Sequence, residues 1–244
     1  MIRFHVDAVF SVYDGFTGRA VAPPKVRVML DGLAFRPEYR EGRYLVFMNL
    51  EPGSHTLVLS AAHFSDETVS FEVRSGGRVE RAVSLKPGKT YPFAGKTTRL
   101  DAIVTVKGKP HISDLVYLAA DAGPEVKIAQ DLVQAGENEL KLYIRSGNAG
   151  LKIPGEYLLA DGANSEICTL TDVDEGEGKL AQPLAAEHKR GKALFHCQSY
   201  RTDGEGAFTA YFQKPCEIHA VLSGRSKPVS HELSAGGNNI KIEF

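Results

Sequence analysis

Glu41-Gly-Arg-Tyr-Leu-Val-Phe-Met-Asn-Leu-Glu-Pro-Gly-Ser-His-Thr-Leu-Val-Leu-Ser60 is the stretch that decides the fold class. Two short apolar runs, Tyr44–Leu50 and Thr56–Leu59, flank Glu51-Pro-Gly-Ser54. Proline presets φ for the second position of a turn, and glycine accepts the positive φ that follows. Runs rich in aromatic and aliphatic residues, bounded by turn residues, read as strands. The stretch therefore predicts a β-hairpin. Its strands are apolar on both faces over part of their length, which places them inside a sandwich rather than at an edge.

The pattern returns near the C-terminus in Gly206–Ser223. Gly42 matches Gly206, Tyr44 matches Phe208, Phe47 matches Tyr211 and Pro52 matches Pro215, with one residue fewer before the second turn. Two diverged copies of one β-module is the simplest account.

Around that hairpin, Ile2–Tyr13 alternates loosely through Phe4, Val6, Ala8, Phe10 and Val12 and predicts a first strand. Asp14–Gly18 reads as a turn, Lys25–Leu30 as a strand, and Asp31-Gly32 as the tight turn closing it. Thr68–Val73 and Val79–Leu85 follow, joined by Gly76-Gly77. The first module thus holds roughly seven short strands, the pattern of a Greek-key sandwich. Lys86–Phe93, with two prolines and a glycine, is the expected boundary, giving modules at 1–93 and 94–244.

The second module opens with Arg99–Val106, a Lys107–Pro110 turn and Leu115–Ala119. Residues from about Gly123 to Gly191 have no counterpart in the first copy and read as a long insertion. Within it, Asn138–Ile144 and Tyr157–Ala160 look like strands, and the acidic run Thr171–Leu180 like a solvated loop. A structureless excursion of that length is foreign to a compact domain. The expectation is a partly ordered insertion carrying most of a partner interface; the competing reading is a decorated edge strand covering a sheet. After it, Ala193–Tyr200, the repeated hairpin, Val229–Leu233 and Asn239–Phe244 complete the module.

The 244 residues are 43% hydrophobic and 24% charged, ordinary for a globular protein. Net charge is −1, from 29 basic and 30 acidic residues, which argues against a general nucleic-acid or anionic-membrane binder. Met1–Val9 lacks the apolar run and cleavage site of a signal peptide, and nothing approaches the ~20 apolar residues of a transmembrane helix. Cytoplasmic synthesis is expected, with release by lysis or a non-Sec route the remaining way out; a mature domain written without its leader would read the same. The three cysteines fit no zinc spacing, and buried thiols are the default in a reducing compartment. A bridge between Cys197 and Cys216 stays open, since both lie on candidate neighbouring strands.

The order of strand, Thr17-Gly18-Arg-Ala-Val21, Lys25-Val-Arg-Val28, then Gly42-Arg-Tyr, Phe47, Leu50, Pro52-Gly53-Ser-His55 and Leu57 resembles carboxypeptidase-regulatory-like domains. The resemblance implies a transthyretin-like β-sandwich and covers most of the first module. It reaches the flanks of the second through Asp203-Gly204, Gly206 and Phe208, with Pro215-Cys216 in place of Pro-Gly. Tandem modules of this kind also look like accessory proteins of phage-tail-like contractile injection particles, a likeness of architecture and not of motif.

Catalytic constellations are not legible. The eight histidines, His5, His55, His63, His111, His188, His196, His219 and His231, stand singly, without paired metal-ligand spacing. The chain ends Ile240-Lys-Ile-Glu-Phe244, unlike the tyrosine-containing tail of transthyretin-like purine-opening enzymes, and shows no two-Tyr, two-His set of an intradiol dioxygenase. Gly76-Gly77 and Gly236-Gly237 lack the strand-to-helix setting of a phosphate loop, and Gly-x-Ser-x-Gly is absent. Asp172, Asp174 and Glu177 offer a calcium reading of the acidic run, short of a full ligand set. Tyr13, Phe16, Phe35, Tyr39 and Phe64 sit in or beside turns, where about half are expected in the core and the rest on a protein-contact surface. The expectation is a non-enzymatic all-β protein of two sandwich modules, with no catalytic, cofactor or metal site. Its partners would be proteins of a larger assembly such as a phage-tail-like particle, homo-oligomers included. The alternative is an adhesin or glycan-binding module.

Overall fold

In the computed structural model, the described residues are 5–41, 44–93, 97–121, 125–145, 151–225 and 227–244. Ile2–Phe4, Gly42 and Gly123 lie outside them. The chain divides into two compact units, Met1–Ala94 and Gly95–Phe244.

In the first unit the strands are β1 (Val6–Asp14), β2 (Val26–Leu30), β3 (Leu33–Phe35), β4 (Glu38–Arg40), β5 (Tyr44–Met48), β6 (Gly53–Ala61), β7 (Glu67–Val73) and β8 (Val79–Leu85). They form two four-stranded sheets, β4-β5-β1-β8 and β3-β2-β6-β7. Alternation puts Phe10, Leu45 and Phe47 on one inner face and Leu57, Leu59 and Phe71 among the residues opposite, all in one core. Phe10 meets Phe47 and Phe71 edge-on, at centroid distances of 5.6 and 5.2 Å.

The expected hairpin around Pro52 is a crossover instead. β5 and β6 pair with different sheets, so the turn carries the chain across the core. The cause lies at the end of β5: Asn49 takes a positive φ of 56° and donates its N–H to the His5 carbonyl at 3.2 Å. The Asp7 carboxylate accepts the Leu50 N–H at 2.9 Å. These bonds tie the turn to β1 and steer it away from its own strand. Leu45 and Phe47 then oppose Leu57 and Leu59 across the core rather than lying beside them.

In the second unit the strands are β9 (Thr98–Val106), β10 (Lys109–Pro110), β11 (Leu115–Ala120), β12 (Val126–Ile128), β13 (Leu132–Val133), β14 (Glu139–Ile144), β15 (Gly155–Ala160), β16 (Glu166–Asp174), β17 (Glu177–Leu180), β18 (His188–Lys189), β19 (Ala193–Arg201), β20 (Ala207–Phe212), β21 (Cys216–Leu222), β22 (Val229–Leu233) and β23 (Gly236–Glu243). β20, β9 and β23 repeat the β5-β1-β8 arrangement, including the parallel pairing of the last strand with the first. β11-β21-β22 repeats β2-β6-β7. Tyr44 and Phe208 therefore occupy equivalent strands, but the residue matching is off by one. Leu45 pairs with Phe10 in the first core, and Phe208 pairs with Ala102 in the second. Tyr44 belongs to the outer row, opposite Ser11, as Ala207 is opposite the exposed Ile103. The matching of Phe47 with Tyr211 shifts likewise, to Ala210. Phe10/Leu45 becomes Ala102/Phe208, and Ala8/Phe47 becomes Leu100/Ala210. Each pair exchanges which strand supplies the larger side chain, and a core tolerates such a swap when total volume is kept.

The insertion is neither a loop nor an edge decoration. β12, β14, β17, β16, β15 and β19 pair in succession, and β12 pairs back onto β19, closing a six-stranded antiparallel ring. Its interior is a separate apolar core including Val126, Ile128, Leu140, Tyr157, Leu159, Leu170, Leu180 and Leu194. The acidic run Thr171–Leu180 is a hairpin of β16 and β17 rather than a loop. Glu175 and Gly176 turn it with φ of 46° and 86°, the double positive of a type I′ turn. Leu170 and Leu180 point into the barrel while Asp172, Asp174 and Glu177 stay outside, because the register shifts between Leu170 and Asp172 and Gly178 takes an inward position on β17. A Cβ at Gly178 would come within 2.7 Å of Leu142 Cδ1, so a larger residue there would have to displace that side chain.

β19 belongs to both bodies of this unit. Its first residues close the barrel against β12 and β15, and Cys197–Arg201 pair with β11 of the sandwich. It stands where β3 stands beside β2 in the first copy.

Candidate functional site

The barrel is the part of the chain that the first copy lacks, and its outer wall is the candidate contact surface. Tyr143 on β14 is 53% exposed, facing outward between core residues Leu142 and Ile144. It pairs with Lys127 on β12. The Glu125 carboxylate accepts from Lys127 Nζ at 2.5 Å and from Arg145 Nη1 at 3.2 Å, which together hold its pKa below the usual carboxylate range. Lys141 Nζ lies 3.7 Å from Glu177 on β17. Leu132, on β13, is also exposed. An aromatic ring standing among ion-paired side chains can stack on an apolar or sugar face while the charges fix orientation.

A buried ionic cluster holds one segment of the barrel. His188 is fully buried, with Nδ1 3.0 Å from Asp161 Oδ2 and Nε2 2.8 Å from Glu166 Oε1. Lys192 Nζ reaches Asp161 Oδ1 at 2.5 Å, and Glu166 also accepts the Ala185 and Ala186 N–H groups. Burial pushes the Asp161 carboxyl up, but hydrogen bonds from Lys192 and His188 outweigh it, so its pKa sits below the ordinary value. The cluster pins the segment running from β17 to β19, which also seats Leu184 in the barrel core. With both ring nitrogens engaged and no exposure, His188 serves as a latch. No sequence spacing announced it, because Asp161, Glu166 and His188 meet only when the barrel closes.

The remaining chemistry-bearing residues are also structural. Cys168, Cys197 and Cys216 are free thiols. The bridge left open between Cys197 and Cys216 does not form. β11 lies between β19 and β21, which places the two strands about 10 Å apart, beyond the ~7 Å Cα limit of a disulfide. Burial pushes the Cys168 thiol up to about 12 and the Cys197 thiol higher still, so neither is nucleophilic. His196, edge-on to Tyr157 at 5.4 Å, is lowered to about 4 by burial, with a further push from Lys152. Asp172, Asp174 and Glu177 lie along the exposed hairpin, and the described residues contain no group of three or more side chains arranged to hold a metal ion.

Of the five turn aromatics, Phe35 stacks on Phe47, and Phe16 and Phe64 pack on Tyr91 at 5.8 and 5.3 Å. Phe93 completes that cluster, 4.8 Å from Tyr91. Tyr13 is half-buried, and Tyr39 is the exposed member of the five. Tyr91 O–H donates to Asp14, whose carboxylate also accepts from the Thr17 hydroxyl and the Phe16 N–H. Burial first, then Asp14, push the Tyr91 phenol up to about 12. The boundary segment is thus packed against the first sandwich by rings that its prolines concealed. No helix of the described residues is long and apolar enough to cross a membrane.

No family model matches the chain, and no curated protein matches it. Solved structures do. The major pilin subunit BcpA of Bacillus cereus is 10% identical over 99% of each chain, with a TM-score of 0.29. The shaft pilin spaA of Lactobacillus rhamnosus GG is 8% identical, covering 97% of this chain and 96% of that one, at 0.25. A cell-adhesion protein of Bacteroides ovatus, so described provisionally, is 8% identical over 99% and 94%, at 0.20. Overlaps this low do not establish a shared function.

Proposed function

We propose that the protein is a non-catalytic binding component of a cell or particle surface, an adhesin-like module whose inserted barrel carries most of the partner contact. The observation that carries this reading is Tyr143, an exposed ring on a closed and separately cored barrel, flanked by the Glu125–Lys127–Arg145 ion pairs. A closed ring has no open strand edges of its own, so contacts on its wall fall to side chains. The buried histidines and thiols serve packing, which leaves surface recognition as the role the geometry supports. The partner is a protein or a glycan displayed by another cell. The working location is outside the cytoplasm. Nothing in this geometry bears on a phage-tail-like contractile particle.

Glycan arrays and cell-binding assays on the intact chain test the reading, with Tyr143→Ala compared against the unaltered protein. Loss of a stacked ring should weaken binding by about 1–3 kcal/mol, a factor of about 5 to 150. Binding that is unaltered by Tyr143→Ala would move the contact off the barrel wall.

A further inference from the structure

The crossover between the two sheets of the first unit, from Asn49 to Gly53, is held at each end by a histidine beside a carboxylate. At its start, His5 Nδ1 lies 2.6 Å from Asp7 Oδ1, Asp7 Oδ2 accepts the Leu50 N–H, and the His5 carbonyl accepts the Asn49 N–H. At its end, His55 Nδ1 lies 2.7 Å from Asp31 Oδ2, and Nε2 lies 2.7 Å from the Glu51 carbonyl oxygen. Between the two, Glu51-Pro-Gly-Ser54 is exposed.

The two pairs differ chemically. A carboxylate and a backbone carbonyl only accept hydrogen bonds, and a neutral imidazole has a single N–H to give. Both His55 contacts are therefore satisfied together only when the ring carries both protons. Asp31 is fixed independently of the ring. Its Oδ1 accepts the Thr56 N–H at 2.7 Å, and its own N–H donates to the Thr56 carbonyl at 2.8 Å, which seats the β2–β3 turn on β6. The Thr56 N–H first, then His55, hold the Asp31 carboxyl below its ordinary value, so Asp31 stays an anion when the ring loses a proton. Asp31 first, then the Glu51 carbonyl, raise the His55 pKa above its ordinary 6.5. From β7 the ring meets the uncharged Phe71, stacked at 5.5 Å, while Glu72 pairs with Ser54 on the opposite face of the sheet.

We propose that His55 is a pH-operated clip on this crossover: its imidazolium ties Glu51 to the Asp31 turn, and loss of the Nε2 proton releases Glu51–Ser54 while the Asp31–Thr56 bonds stay. Once neutral, the ring keeps its remaining N–H on the carboxylate, the stronger acceptor. Its bare Nε2 then faces the Glu51 oxygen, lone pair to lone pair. A raised histidine contributes stability in full below 6.5, and that contribution is lost as pH rises through the higher folded value. Mildly acidic solution thus tightens this end of the first sandwich, and alkaline solution loosens it. This goes beyond the proposed function, since it concerns the first unit and not the barrel's ligand.

An NMR titration of the histidine rings in the full chain from about pH 5 to 9, with amide hydrogen exchange over the same range, tests it. The ring resonance lost in His55→Gln should titrate above 6.5, and Asp31→Asn should bring it down. Protection of the Leu50 amide, corrected for intrinsic exchange, should fall roughly three- to tenfold as His55 loses its proton, the range of one hydrogen bond. Thr56, bonded to Asp31, should keep its protection. The step at Leu50 should vanish in His55→Gln and survive in His5→Gln. A His55 midpoint at or below 6.5 overturns the proposal. So does Leu50 protection that ignores pH, that falls together with Thr56, or whose step persists in His55→Gln or disappears in His5→Gln.

Discussion

Leu159→Ala is the sharpest test of β19 as a strand shared by barrel and sandwich. Leu159 is completely buried in the barrel core and pairs with Leu194 of β19. Truncation to Ala removes three carbon groups, worth about 0.8 kcal/mol each, and leaves a cavity in a ring that cannot collapse without breaking its closure. The expected loss is about 3–4 kcal/mol, a few hundredfold in the folding equilibrium. Because Leu194 and Tyr200 lie on the same strand but in the barrel and sandwich cores respectively, the loss should be felt in both. Hydrogen exchange by mass spectrometry in mild urea reads this directly. Peptides from the barrel (126–180) and from the sandwich (98–106, 207–222) should lose protection in parallel, while peptides from 6–85 stay unchanged. Loss confined to 126–180 would show that the barrel unfolds alone and would refute a common cooperative unit.

Three further outcomes follow from local chemistry. His188→Leu removes the buried ring that hydrogen-bonds both the Asp161 and the Glu166 carboxylates, and should cost about 3–5 kcal/mol in chemical denaturation. Asp161 is held below its ordinary pKa, so its stabilising contribution is present above the unfolded carboxylate value and fades as pH falls through the lower folded value. Acid denaturation of the second unit followed by circular dichroism should carry this contribution together with those of Asp114, Glu125, Asp203 and Glu243, which are also held below their ordinary values. Tyr91, raised from 10.0 to about 12, contributes stability that is present below pH 10 and lost as pH rises through about 12. Tyr117 and Tyr157 are also raised by burial, so a phenolate absorbance titration should show several late-ionising tyrosines, of which the component near 12 disappears in Tyr91→Phe, a change costing about 1–2 kcal/mol.

The sandwich strands were legible because each is a short alternating run closed by turn residues, and the repeat was visible in the matched Pro52 and Pro215, whose spacing of 163 the paired core residues share. Pairing partners were less legible. Nothing in Leu50–Gly53 distinguishes a turn that returns beside its strand from one that crosses to the other sheet. That choice was made by Asp7 and His5, more than forty positions away. The register slipped by one because aromatic identity guided the matching, whereas the cores match by facing, Leu45 with Phe208. In the insertion, β14 and β15 were readable, but barrel closure rests on three-residue β12 and on a β17 whose inward positions include Gly178. A glycine in the wall carries no hydrophobic signal. Loop-like composition therefore hid a strand.

The shared strand also sets an order of assembly as the chain is made. Strands β9 and β11 emerge before the barrel, yet β9 waits for β20 and β23, and β11 waits for β19 and β21. Strands β12 to β17 can form hairpins, but the ring stays open until Ala193–His196 arrives. When β19 emerges it seals the barrel with its first residues and offers β11 a first partner with its last. The barrel thus acts as a timer on the second sandwich. Changes that delay ring closure should prolong the exposure of β9 and β11 edges, and poor yield from such variants would reflect the nascent chain rather than the finished fold.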